Sequence, residues 1–300
     1  MDRDATIAIV GLGLMGGSLA MALKRNGHAG RIVGASRRPE VRAAALAAGA
    51  VDVAVASPAE AAEGAAMVVL CAPVMVIPDL AAAIAPRLHG AVVTDVGSTK
   101  GWVLERMRRA IGGRAEVVGS HPIAGSERQG FDAARADLYE GAVTVVTPDG
   151  SSNDAVGRVE AVWRRAGSRV VRMSAAEHDR RLARTSHVPH LAAALVAWCA
   201  GAGGDEPAET ACVCGPGFRD TTRVAEGSPE IWHDILVTNR DAIEAELQRF
   251  AMALDGVRTR LRRGDFGAAR DFLAEAREAR RRLLRDAAPE PTGDVEGRGQ

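Results

Sequence analysis

Three hundred residues, 47% of them hydrophobic, suffice for two modest domains with a buried core, while aromatics at 3% leave the packing to aliphatic side chains and alanine. Lys plus Arg and Asp plus Glu both number 38, so no net field favours nucleic acid or an anionic membrane surface. Met1-Asp2-Arg3-Asp4 does not read as a signal peptide, and no apolar run reaches the ~18 residues a membrane span needs, so a cytoplasmic protein is expected. Of the four cysteines, only Cys212 and Cys214 are close in sequence; a C-x-C is neither zinc nor redox spacing, and reduced thiols are expected.

The first half of the chain alternates regularly. "TIAIV" (6–10) is a short apolar strand that ends in glycines, and a helical pattern follows from Met15 to Arg25, stopped by Asn26-Gly27. "RIVGA" (31–35) is a second strand, then comes an Ala-rich helix over 40–48, then the strands "VDVAV" and "MVVLCAP". A helix over 76–86 leads to "AVVTDV" (91–96), and another over 100–111 precedes the strand "EVVGS" (116–120). Strands alternating with helices of about ten residues predict an α/β Rossmann-type doubly wound, mostly parallel sheet. "GAVTVVTP" (141–148) and "SRVVRM" (168–173) bracket a further helix and are expected to extend that sheet.

After Ser174 the strand pattern stops. Helices are predicted over 175–200, 206–213, 228–238, 240–262 and 267–285, which sets a domain boundary near Met173. The chain therefore divides into 1–173, a nucleotide-binding domain; 174–285, an all-α domain; and 286–300, a Pro-, Gly- and charge-rich tail expected to be disordered. The basic run "REARRRLLR" (277–285) complements a helix C-terminus rather than marking a nucleic-acid site.

"GLGLMGG" places Gly11, Gly13 and Gly16 in G-x-G-x-x-G spacing directly after a strand and at the opening of a helix. Gly11 permits the tight turn, Gly13 lets backbone approach a pyrophosphate, and Gly16 lets helix and strand pack closely. Leu14 and Met15 complete the loop at the helix N-terminus, where free N–H groups face an anion. A dinucleotide site selective for NAD normally carries Asp or Glu about 20 residues on, at the end of the second strand. This chain has Ser36, Arg37 and Arg38 there, groups suited to a 2′-phosphate, so NADP is favoured and NAD possible.

Polar groups then gather at later strand ends, where a doubly wound sheet binds its ligands. Ala72 and Pro73 close one strand and are expected to line the nicotinamide side; Asp95, Ser98, Thr99 and Lys100 close the next; "GSHPIAGSE" closes the third. "GLGLMGGSLAMALK", "DVGSTKG", "GSHPIAGSERQGF", "SHVPHLAAALV" and "GPGFRDTTRVAEGSPEIWHDI" together resemble the prephenate and arogenate (cyclohexadienyl) dehydrogenases of tyrosine biosynthesis, from about residue 5 to about residue 260.

The resemblance implies a Rossmann domain followed by an all-α dimerisation domain, hence a homodimer. It also implies oxidative decarboxylation of prephenate or arogenate with hydride transfer to NAD(P)+. By similarity His121 is the base that takes the 4-hydroxyl proton, suited by an ordinary imidazole pKa of about 6.5 and restrained by Pro122. Ser98 orients His121 and the hydroxyl, Arg223 pairs with a substrate carboxylate, and His190, Ser126, Glu127 and Trp232 stand on the substrate side. His187 is expected to be structural, and although it and His190 share a helix face, no metal site is expected. Two other classes compete. A β-hydroxyacid-type dehydrogenase would need a Lys on an early helix of the second domain, and 175–200 contains none. A non-catalytic NAD(P)-binding regulator has no reason to keep His121, Ser98 and Arg223 together.

Overall fold

The computed structural model of the protein describes residues 5–126, 128–201 and 211–287, so most of the expected tail and most of the helix expected over 206–213 lie outside the described residues, while Asp286 and Ala287, the first two residues of that tail, are helical. The described residues belong to two compact units, 1–244 and 245–300.

The first unit is built on a six-stranded parallel sheet. Its strands are β1 (Ile7–Val10), β2 (Ile32–Ala35), β3 (Val53–Val55), β4 (Met67–Leu70), β5 (Val92–Asp95) and β6 (Glu116–Val117), in the order β3-β2-β1-β4-β5-β6. The central strands β1, β2 and β4 read as unbroken apolar runs because both faces of the sheet are covered there. Ile7 and Ile9 enter one core with Leu19, Met67 and Trp163, while Ala8 and Val10 enter the other with Val68, Ile77 and Leu104. The crossover helices are α1 (Leu14–Arg25), α2 (Pro39–Ala47), α3 (Pro58–Ala62), α4 (Ile77–Ile84) and α5 (Gly101–Ile111). The short α3 escapes the sequence pattern; it starts where Ser57 Oγ accepts from the Glu60 N–H at 3.4 Å. The strand order reverses between β1 and β4, and a crevice opens beyond their carboxyl ends.

Residues 116–173 depart from expectation. The predicted strand 116–120 is two strands, and the segments predicted to extend the parallel sheet form a second one. Here β7 (Gly119–Ile123) pairs antiparallel with β8 (Val143–Thr147), which pairs parallel with β9 (Arg169–Arg172). Gly119 explains the change of direction: a Cβ there would sit 2.2 Å from Thr147 Oγ1, so only glycine allows β7 to close on β8. Between β8 and β9 runs α6 (Asn153–Arg165), capped by Ser152, whose Oγ accepts from the Ala155 N–H at 3.2 Å. His121 thus lies inside a strand, opposite Val145.

Beyond β9 the first unit is helical: α7 (Ala175–Leu182), a π-turn over Ala183–His187, α8 (Val188–Gly201), α9 (Pro216–Thr222) and α10 (Pro229–Thr238). The helix predicted to run unbroken over 175–200 is interrupted because Pro189 has no N–H for the Thr185 carbonyl and its ring would strike that carbonyl; a wider turn relieves both. α9 was not anticipated. The second unit holds most of α11 (Arg240–Arg262), and α12 (Phe266–Ala287). Met252 (70% exposed), Phe266 (68%) and Leu273 (66%) leave large apolar side chains uncovered there. Among the described residues, no helix is long and apolar enough to cross a membrane.

Candidate active site

The glycine loop connects β1 to α1. Gly11 has φ +102, and a Cβ there would lie 2.0 Å from the Cys71 carbonyl oxygen at the end of β4. A Cβ on Gly16 would lie 2.0 Å from the Gly11 oxygen, so both glycines are needed for contact within the fold. Gly13 is different: nothing stands within 4 Å of its missing Cβ. That open side faces a cavity of about 380 Å³ walled by Gly13, Leu14, Met15, Ala72, Pro73 and Ser98 among others. A backbone edge at a helix N-terminus, bare of side chains and next to a cavity, fits a dinucleotide diphosphate. Tyr139 donates to the Met15 carbonyl at 2.7 Å and steadies this loop.

Ser36, Arg37 and Arg38 follow β2 and are not part of this wall. Arg42 donates one guanidinium nitrogen to the carbonyls of Ser36 (2.8 Å) and Arg37 (3.0 Å), which shapes the turn that carries them. The Arg37 side chain is exposed and Arg38 lies 3.8 Å from Glu40.

His121 sits in a chain of imidazoles. Its Nδ1 lies 2.8 Å from His178 Nε2, and His178 Nδ1 lies 2.8 Å from Asp179 Oδ1. Asp179 accepts in addition from the backbone N–H groups of Lys100 and Gly101, each at 2.8 Å. Burial alone would raise the Asp179 carboxyl, but His178 and these N–H groups outweigh it and hold it below the usual carboxylate range. An ionised Asp179 assigns the protons: His178 donates through Nδ1, its Nε2 accepts, and His121 donates through Nδ1. His121 Nε2 is left as a lone-pair acceptor, and the ring's one hydrogen bond among the described residues is through Nδ1. Burial holds His121 well below its ordinary value, and the neighbouring His178, Lys100 and His187 act in the same direction. The imidazole is therefore neutral, as a base must be.

A second cavity, of about 460 Å³, is walled by Thr185, Ser186, His190, Arg223 and Trp232, with Gly125, Ser126 and Gly227. His190 stacks on Trp232 with ring centroids 3.5 Å apart, and its Nδ1 is buried without a partner among the described residues. Gly227 makes room for the pair, since a Cβ there would lie 2.6 Å from Trp232 Nε1. Gly125, Ser126, Gly227 and Trp232 line both cavities. His121 is in neither wall; its strand runs on into the loop that supplies Gly125 and Ser126. Glu127, expected on the substrate side, lies outside the described residues.

His187 is buried and takes no part in the walls. Its Nδ1 lies 3.2 Å from Asn239 Nδ2, which also donates to the Asp179 carbonyl at 2.9 Å. His178, Asp179, Ser120 and Asn239 were given no role from the sequence alone. The one available signal was the His178-Asp179 pair itself, a ready donor and acceptor on one helix.

Known proteins resemble this chain along most of its length. Residues 19–172 match the family model "Prephenate dehydrogenase, nucleotide-binding domain", and 174–275 match "Prephenate dehydrogenase, dimerization domain". A prephenate dehydrogenase of Bacillus subtilis is 35% identical over 281 residues, covering 89% of this chain and 75% of the relative. The crystal structure of prephenate dehydrogenase from Aquifex aeolicus in complex with hydroxyphenyl propionate and NAD+ superposes with a TM-score of 0.86 at 30% identity, covering 93% of this chain and 98% of that one. A Synechocystis arogenate dehydrogenase superposes with a TM-score of 0.82 at 28% identity, covering 93% and 99%.

Proposed function

The chain belongs to the prephenate dehydrogenase family of NAD(P)-linked oxidoreductases, and from that premise we propose that it oxidatively decarboxylates prephenate, arogenate or both. The observation that carries this reading is a neutral His121 whose Nε2 lone pair is backed by His178 and Asp179, on a strand leading into the loop shared by both cavities.

Gly13, Leu14 and Met15 would hold the diphosphate of a dinucleotide, on a turn that Gly11 and Gly16 make possible, and Ala72 and Pro73 would border its nicotinamide, which when bound supplies the hydride acceptor. The substrate hydroxyl gives its proton to His121 Nε2 as C4 loses hydride; Ser98 orients that hydroxyl. The ring carboxylate then leaves as CO2, its bonding electrons closing the aromatic ring, and the C4 oxygen takes the proton back from His121 Nε2 as the phenol forms. Arg223 pairs with a substrate carboxylate through its planar fork, and His190, Trp232 and Ser126 complete the substrate wall. As the imidazole gains a proton at Nε2, its Nδ1 proton is drawn toward His178, so the positive charge spreads toward Asp179.

Three finer points belong to the same proposal. NADP is preferred over NAD, because Ser36, Arg37 and Arg38 stand where a carboxylate would select NAD. The domain boundary lies at Met173, with 1–173 binding the dinucleotide and 174–285 completing the substrate site. The enzyme is a homodimer through its helical part, where large apolar side chains are exposed. Absorbance at 340 nm with prephenate and with arogenate, each with NAD+ and NADP+, tests the reading. Turnover that His121→Ala abolishes while dinucleotide binding persists supports it; no turnover with either substrate overturns it. A strong NAD preference that survives Arg37→Ala would defeat the cofactor assignment alone.

A further inference from the structure

The sequence contains two lysines, Lys24 and Lys100, and uses arginine at every other permanently basic position. Lys100 is also fully buried. A buried ammonium loses several kcal/mol of hydration, so its partners need explaining. Its Nζ pairs with the equally buried Asp95 carboxylate and donates to the Ser120 carbonyl at 2.8 Å. The same carboxylate accepts from the Gly97 N–H at 2.8 Å and from the Ser120 N–H at 3.3 Å. One ion pair thus fastens the residue before Ser98 to the residue before His121. The far end of the imidazole chain is held at the same position by the backbone, since the main-chain N–H of residue 100 donates to Asp179 and would persist in a side-chain variant.

We propose that Lys100 is a positioning residue for the base, gripping His121 through the Ser120 backbone on one side and through Asp179 and His178 on the other. This rests on His121 being the base. Lysine suits the place because an ammonium is a compact point charge on an unbranched stem, with one carboxylate and one carbonyl to meet. The charge matters as well as the contacts. The titratable groups around His121 are His178 and Asp179 on α7, His187 in the π-turn, Asp95 at the end of β5, and Lys100 itself. A cation among them opposes formation of the imidazolium, so removing it should make His121 easier to protonate.

The test is a histidine side-chain NMR titration of the dinucleotide-free protein, which needs no turnover. In Lys100→Met the His121 pKa should rise by about half a unit or more, and the share of its Nδ1–H tautomer should fall. The acid limb of kcat/KM should move up by the same amount. With substrate, kcat should drop about tenfold or more while the dissociation constant for NADPH stays within about twofold, since misplacing a base costs chemistry rather than nucleotide binding. A role confined to folding would lower stability and leave the titration unmoved. If Lys100→Met does not fold, the paired variant Lys100→Met with Asp95→Asn removes both buried charges and should shift His121 in the same direction by less, because Asp95 opposes Lys100. In the wild type, the Lys100 Nζ must be an ammonium at pH 7. A folded variant with unchanged His121 titration and tautomer, or a neutral amine in the wild type, overturns the proposal. A shifted titration in a protein that turns over neither substrate would leave Lys100 in its place and remove the proposed function instead.

Discussion

The two ends of the site are built on opposite principles. At the glycine loop the fold works by omission: Gly11 and Gly16 are needed because nothing larger than hydrogen fits, and Gly13 leaves a bare backbone edge toward a cavity. At the base the fold works by enclosure: His121, His178, Asp179, Lys100 and Asp95 are ionisable groups satisfied by one another, Lys100 and Asp95 without any exposed surface. The first end is a matter of shape and should fail when a methyl group is added. The second is a matter of proton and charge accounting and should fail when a polar atom is removed.

The largest effect should come from removing the base. His121→Ala should lower kcat/KM by about 10²–10⁴, the usual worth of a positioned general base, and leave the NADPH dissociation constant unchanged. Steady-state rates and a fluorescence titration on the same preparation check both halves. A parallel loss of nucleotide binding would mean that the two ends are not separable.

The glycine end predicts the converse. Gly11→Ala must carry φ +102 and meet the Cys71 oxygen at 2.0 Å, so it should lose about 3 kcal/mol or more of stability in urea unfolding. Gly13→Ala meets nothing, so its stability should match the wild type, while its methyl group occupies the open side and weakens NADPH binding about tenfold or more. Equal stability of the two variants would break the distinction between packing and ligand-facing glycines. Between these effects and the smallest lies Arg223→Lys. It retains a charge but not the planar fork, and should raise KM about tenfold with a smaller change in kcat.

This division also explains what was legible before the structure. The glycine end is local: an apolar strand, a turn and a helix start occupy sequence positions 6–25, and their periodicity can be read directly. Even the parallel sheet follows, since unbroken apolar strands alternating with helices leave few alternatives. The base end is non-local. The Lys100 N–H meets Asp179 across 79 residues, and His121 meets His178 across 57, so no window of sequence contains the chain of imidazoles. The second sheet was missed for a related reason: β7 and β8 have the composition of any β-strand, and only the space left by Gly119 sets their pairing. The π-turn was masked by the helical patterns on either side of it, although Pro189 carried the cue.

The smallest expected effect tests the enclosure directly, through acid. Burial brings His187 down to about 4, because the imidazolium would lose hydration and its Nδ1 would lose the Asn239 donor. In the unfolded chain the same group titrates near its ordinary value of about 6.5. The unfolded state therefore binds more protons between these values, so the contribution of His187 is fully present above pH 6.5 and is lost as pH falls toward 4. From pH 7.5 to 5.5 that loss is about 1.3 kcal/mol from this one group. His187→Asn retains an acceptor for Asn239 but has nothing to protonate, so its stability should fall by about 1.3 kcal/mol less than the wild type over the same interval. The remaining buried imidazoles are common to both proteins; His187 when charged only lowers His121 further, so its removal shifts the difference in the same direction. Parallel pH dependence of the two proteins in urea unfolding would mean that water reaches His187, and that the ionisable end is less enclosed than the glycine end is filled.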